Sequence, residues 1–381
     1  MSRSLRTGSP ISVLWTAPSI LAASMLIAWA AESAQFFMAQ GVALAILAWL
    51  QTLPEFAVEA VLAWKQQVPL LLANLTGALR LLTGLGWPMI YAVAAWFHRR
   101  RTGRPLHGIA LAGEHCVEVI GLFAALAWSF VVWAKGSLHV YDAGILIAVY
   151  CAYLWVLRRM PAAEAEDINH LDAIPRAIVK APRKWRMLAI AALFAAGGGL
   201  IYASAEPFLA SLLAVSTVIG VPNFVFVQWV APFVSEFPEK VSAFYWARTV
   251  ERASMALMNM VSSNINQWTL LAAMLPIVFS MSRGELSPIP LDGQQELELL
   301  LTLGQSLLSA LFLLDMRFTW WEAAGLFVLW LLQFAFTTTV HDAVTAAYFI
   351  WAAVEIVRLA ARRRQPPAIR HFREMWRKHV R

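Results

Sequence analysis

Two stretches of the chain carry one chemical pattern twice. In the first, Thr52-Leu53-Pro54-Glu55 interrupts an apolar run, and Asn74-Leu75-Thr76-Gly77 follows. In the second, Ser235-Glu236-Phe237-Pro238-Glu239 interrupts another, and Asn259-Met260-Val261-Ser262-Ser263-Asn264 follows. The asparagine comes 19 residues after Glu55 and 20 after Glu239. Hard cations take oxygen ligands from carboxylates, side-chain amides and backbone carbonyls, and a proline-broken helix frees carbonyls of that kind. Four carboxylates, Glu55, Glu59, Glu236 and Glu239, lie inside apolar runs. On insertion scales an ionisable group at the bilayer centre costs roughly 2.5–3.5 kcal/mol, so four of them at two matching places call for a compensating role.

The neighbouring runs supply polar partners. Asn259, Ser263 and Gln267 recur every four residues and fall on one helix face. Asn74 and Gly77 share a face of their own run. The competing reading of such small and amide residues is glue between packed helices. Arg80 and Lys240 modulate the charge: beside the four carboxylates they leave a net of −2. Lys240 sits four residues after Glu236, a favourable ion-pair spacing. Both cations compete with a bound ion if they lie beside the carboxylates, and are structural if they snorkel or pair elsewhere.

These residues need a membrane-spanning frame. The chain is 60% hydrophobic and 14% charged, with a mean hydropathy of +0.62. A soluble domain averages about 25% charged residues. Repeated uncharged runs of span length, with no strand-like alternation, predict an all-α polytopic membrane protein and not a barrel. The net charge of +7 reads as topology signal and not as a nucleic-acid surface, because the basic residues lie between apolar runs. Cys116 and Cys151 sit in apolar runs and read as small core residues. Many of the 18 tryptophans stand at run ends, as in aromatic belts.

About eleven spans are expected: Val13–Ala31, Gln35–Trp64 broken at Pro54, Val68–Phe97, Cys116–Ala134, Tyr141–Leu157, Met187–Ala205, Pro207–Trp246 broken at its prolines, Ser254–Met281, Leu297–Leu314, Trp320–Phe336 and Ala343–Leu359. A signal peptide is the lesser reading of the first run. With the N-terminus outside, most loop arginines and lysines and the whole basic tail fall on the cytoplasmic side. The Pro54-Glu55 and Pro238-Glu239 units then run in opposite directions. Inverted repeats with interrupted helices are a transporter architecture, and the interruptions point to the site. The organisation expected is a first membrane repeat at 11–158, a cytoplasmic linker at 159–186, a second repeat at 187–338, an added helix at 339–361 and a basic tail at 362–381. Glu114-His115 and Glu118 read as a solvated helix start, and His341-Asp342 as a helix cap.

In these motifs the chain resembles the calcium/cation antiporter superfamily, in particular the sodium/calcium exchanger membrane domain. That family carries two inverted repeats, each with a Gly-Thr-Ser-Leu-Pro-Glu-like motif and a following Gly-Asn-x-x-Gly-Ser-Asn. The resemblance implies two inverted five-helix repeats with broken helices, plus an extra C-terminal helix. It implies metal-binding glutamates at Glu55 and Glu239, and hydroxyl ligands at Thr52 and Ser235, with Glu236 in place of a further small polar residue. Its polar positions in the eighth span fall on Ser263 and Gln267. In the third span they fall on Ala78 and Leu82, which cannot ligate, and Arg80 is foreign to the pattern.

The function expected is therefore secondary-active cation antiport, with no enzymatic activity and no cofactor besides transported ions: calcium, sodium or protons. The expected partners are inorganic cations and the lipid bilayer, and the membrane a bacterial inner membrane. One alternative is proton coupling, with Lys240 or Arg80 standing in for a bound sodium. The other is a non-transporting scaffold or sensor descended from an antiporter.

Overall fold

The computed structural model describes residues 8–35, 49, 52–160, 171, 173–336, 339–361 and 365–380. The amino-terminal part of the second expected span, the middle of the linker and the three arginines that open the tail lie outside the described residues. Helix α1 is Val13–Gln35, α2 is Leu53–Trp64 and α3 is Val68–Leu81. A π-helical turn, Leu82–Gly86, joins α3 to α4, Trp87–Thr102. Then come α5 (Cys116–Ala134), α6 (Val140–Leu157), the short α7 (Ala173–Lys180) and the long α8 (Arg183–Ile219). Helices α9 (Asn223–Ser235) and α10 (Phe237–Ala247) meet at a one-residue break. Helix α11 (Val250–Asn266) passes through a second π-helical turn, Gln267–Leu271, into α12 (Ala272–Arg283). Helices α13 (Gly293–Leu313), α14 (Trp320–Ala335), α15 (His341–Ala361) and α16 (Pro367–Met375) complete the chain.

Eight helical stretches among the described residues are long and apolar enough to cross a membrane, and α9 and α14 are shorter apolar helices. The sixth and seventh spans need a correction. Pro207 does not separate them: it lies inside α8, which continues to Ile219. Ser204 Oγ donates to the Leu200 carbonyl at 2.6 Å one turn before the proline, the kind of local hydroxyl contact that lets membrane helices tolerate proline. The real boundary is Gly220 in left-handed backbone (φ 72°) followed by Val221-Pro222, a helix stop that needs a residue without a Cβ.

Two compact units form, and neither follows one half of the sequence: residues 1–74 with 157–239 make the first, and 75–156 with 240–381 the second. In the first, α1 lies along α8. Thr16 and Ser211 hydroxyls bond at 2.9 Å, and Gly197 has no room for a Cβ, since one would meet Ile27 at 2.7 Å. Leu53 and Ala57 of α2 pack on the buried cluster of Ala23, Ile27 and Ile201. In the second unit, two small antiparallel ribbons tie loops together: β1 (Gly108–Ala110) with β4 (Arg317–Thr319), and β2 (Ser137–Leu138) with β3 (Ile289–Pro290). Helix α13 opens with a reciprocal cap, Gln295 N donating to Asp292 Oδ1 at 2.9 Å and Asp292 N to Gln295 Oε1 at 3.0 Å, which satisfies two orphan helix-end donors.

Candidate cation site

Each Pro-Glu pair opens a helix. Pro54 is the second residue of α2 and Glu55 the third. Pro238 is the second residue of α10 and Glu239 the third. Proline suits the first turn because its missing N–H is not needed there. A carboxylate in that turn sits at the positive end of the helix dipole. At the second break the preceding half is also visible. A continuous helix would press the Pro238 ring against the Val234 carbonyl; α9 stops instead at Ser235, and Glu236 caps it with its N–H donated to the Pro232 carbonyl at 2.9 Å. The carbonyl-rich end of α9 and the carboxylate-bearing start of α10 are therefore one residue apart.

The first unit collects Thr52, Glu55, Glu59, Asn74, Ser235, Glu236 and Glu239, and all seven are buried. Thr52 precedes α2, its hydroxyl donating to the Trp49 carbonyl at 2.9 Å. Ser235 Oγ donates to the Ala231 carbonyl at 3.1 Å, and its own carbonyl accepts from Ser24 Oγ at 3.4 Å. Asn74 Nδ2 donates to Glu59 Oε1 at 3.2 Å. Glu236 lies close enough to Glu59 for the two carboxyl groups to interact electrostatically. Glu59 Oε2 and Asn74 Oδ1 are buried oxygens with no hydrogen-bond partner among the described residues. Buried polar atoms left so are uncommon and ask for an occupant. No three His, Cys, Asp or Glu side chains among the described residues come together as a ready metal cluster, so a bound cation here would draw on amide, hydroxyl and backbone oxygens too.

Asn259, Ser263 and Gln267 belong to the second unit and are buried on α11 and the turn that follows it. Two features there were not read from sequence. Asn264 is fully buried, and neither its Oδ1 nor its Nδ2 has a hydrogen-bond partner among the described residues. The second feature concerns the helices themselves: a π-turn starts at Leu82 and another at Gln267, the two positions that the repeat comparison makes equivalent. Such turns disturb the backbone ladder and concentrate at functional sites. The internal repeat is thus marked in the backbone even where Leu82 has no ligating atom.

Arg80 is bonded within the second unit. Its Nη2 lies 2.6 Å from Glu298 Oε2, its Nη1 donates to Gln333 Oε1 at 3.0 Å and its Nε to the Thr76 carbonyl at 3.1 Å. Glu298 Oε1 in turn lies 2.6 Å from His341 Nδ1. Gln305 donates to the Arg80 carbonyl at 2.9 Å and to Thr83 Oγ1 at 2.6 Å, and accepts from Gln333 at 2.8 Å and from the Tyr348 hydroxyl at 3.1 Å. This network joins α3, α13, α14 and α15. Its sequence signal is a polar stripe in the ninth span, Glu298, Thr302, Gln305 and Ser309, at helical spacing. Lys240, next after Glu239, is buried and falls in the second unit.

His341 opens α15, as its reading as a helix cap expects, and it is also buried and bonded to Glu298. One expectation needs correcting. The start of α5 is not solvated, since His115 and Glu118 are buried with Nδ1 and Oε1 3.6 Å apart.

The fold and buried polar breaks define an all-α polytopic membrane transporter. The model of the family described as "Sodium/calcium exchanger protein" matches residues 10–158 and 189–339, and the chain belongs to that family of cation antiporters. A crystal structure of the H+/Ca2+ exchanger CAX is 32% identical, with 97% of this chain and 91% of that chain covered and a TM-score of 0.88. The sodium-calcium exchanger NCX_Mj is 17% identical, with 85% and 97% covered and a TM-score of 0.56, a likeness of fold. A search among curated proteins found no match.

Proposed function

We propose that this antiporter exchanges calcium for protons, by alternating access around the two Pro-Glu breaks. The observation that carries the reading is the gathering of both breaks in one unit: Glu55, Glu59, Glu236 and Glu239 are all buried there, and Glu59 is held by Asn74. So many buried carboxylates in an apolar setting are best explained by a cation that neutralises them, and the carbonyl end of α9 offers further oxygens. Glu55 and Glu239 are the central ligands, with Thr52, Asn74, Ser235 and Glu236 around them in the same unit. The relative with 32% identity is an H+/Ca2+ exchanger, which supports protons over sodium as the counter-ion. Carboxylates suit that coupling, because a proton and a metal ion compete for the same oxygen. The bonding of Arg80 to Glu298 supports a structural role for Arg80.

The two stretches matched by the family model act as inverted repeats, with the basic loops and tail in the cytoplasm of a bacterial inner membrane. The test is calcium uptake into proteoliposomes under proton and sodium gradients imposed in turn. Uptake driven by a proton gradient, with no response to sodium, is the expected result. Uptake driven by sodium alone would overturn the coupling, and no uptake under either gradient would overturn antiport of calcium.

A further inference from the structure

We propose that the carboxy-terminal helix α16 and the start of α5 form a binding site for an anionic phospholipid. Residues 362–381 carry eight arginines and lysines and one glutamate, a charge of +7 that equals the net charge of the whole chain. The tail is not a loose basic arm. Pro366 and Pro367 start α16, Ala368 is fully buried, and its N–H donates to the Leu314 carbonyl at 3.0 Å. A π-helical turn, Trp376–Val380, continues the helix. Trp376 packs 6.1 Å, ring centre to ring centre, from Trp155 at the end of α6, and 5.8 Å from Phe372.

Beneath this helix lies an open cavity of about 640 Å3, lined by Ile120, Ile369, Phe372, Arg373, Trp376 and Arg377. That is the size of a small-molecule site. Four walls are apolar and two are cationic. Arg373 and Arg377 stand four apart on one face, and neither makes an ion pair among the described residues. The one acid of the tail, Glu374, faces Arg370 at 4.0 Å and His371 at 3.9 Å instead. Ile120 is the fifth residue of α5, in a helical stretch long and apolar enough to cross a membrane.

An apolar trough with two unmatched guanidinium groups at its rim fits a lipid better than a free anion. The acyl chain covers Ile120, Ile369, Phe372 and Trp376, and the phosphate takes charge-assisted bonds from Arg373 and Arg377. Juxtamembrane basic clusters attract anionic lipid, and tryptophan favours the interface. The proposal stands apart from the choice of transported ion.

The test is native mass spectrometry of the full-length protein in detergent, titrated with phosphatidylglycerol, phosphatidylcholine or inorganic phosphate. The wild type is expected to retain phosphatidylglycerol in preference to phosphatidylcholine and to show no adduct with inorganic phosphate. Arg373→Gln with Arg377→Gln should lower retention by about 30-fold, the scale of two basic contacts. Ile120→Trp, which fills the trough and keeps both charges, should lower it as well. Equal retention of the two lipids would overturn the proposal, as would unchanged retention in either variant. Binding of inorganic phosphate that matches the lipid would reassign the arginines to a free anion and overturn it too.

Discussion

Arg80 and Glu298 meet at 2.6 Å, 218 residues apart in sequence, with both side chains sealed from solvent. Each is the other's charge partner, and Glu298 reaches on to His341 of α15. The intramembrane arginine is therefore part of the device that docks the last long helix. Arg80→Met alone leaves the buried Glu298 carboxylate with only His341 beside it, and Glu298→Leu alone leaves a buried guanidinium without its carboxylate. Each should lose about 3–5 kcal/mol, while the double substitution, with no orphaned charge, should lie closer to wild type. Thermal unfolding of the three variants in detergent checks the pattern.

The π-turn after α3 packs on α14 without slack. A Cβ at Gly84 would stand 2.4 Å from Trp330 Cβ and Cγ, a separation that atoms do not adopt. Gly84→Val should therefore lower the unfolding midpoint and the folded yield, on the scale of the roughly 1–3 kcal/mol of an overpacked core. Gly144, where an added Cβ meets open space, is the control: Gly144→Ala should leave the midpoint near wild type.

Asn74 holds Glu59 through one hydrogen bond of 3.2 Å. Asn74→Leu keeps the branched outline of the side chain and removes the donor. Calcium should then bind about fivefold to tenfold more weakly, the worth of about 1–1.5 kcal/mol for such a bond, and isothermal titration of the purified protein measures it.

Bound calcium should also stabilise the fold. At 100 times the dissociation constant, a ligand specific to the native state adds about 2.7 kcal/mol. A rise in unfolding temperature with calcium is expected for the wild type, and its loss is expected for Glu55→Gln.

The membrane class was legible because uncharged runs of span length admit few other readings, and the repeat because Pro-Glu with a following Asn occurs twice. What escaped depends on contacts distant in sequence. Glu298 follows Gln294, Gln295 and Glu296 and looks like a solvated helix start; only the approach of Arg80 and His341 makes it a buried anion. Pro207 looks like a boundary, because local rules stop a helix there, yet α8 runs through it. The π-turns at Leu82 and Gln267 have no composition signature, since their residues also fit an α-helix. The buried amide of Asn264 stood inside the quoted motif, but its environment is set by packing.

The central claim is that the carboxylates at the two helix breaks carry the exchanged cation. Uptake of radioactive calcium into proteoliposomes under an imposed proton gradient, wild type against Glu239→Gln, tests it most directly. Glutamine keeps the shape of the side chain and removes its charge. The account predicts uptake in the wild type and none above background in the variant, with both proteins inserted and folded to the same extent. Equal uptake by the two proteins would contradict it.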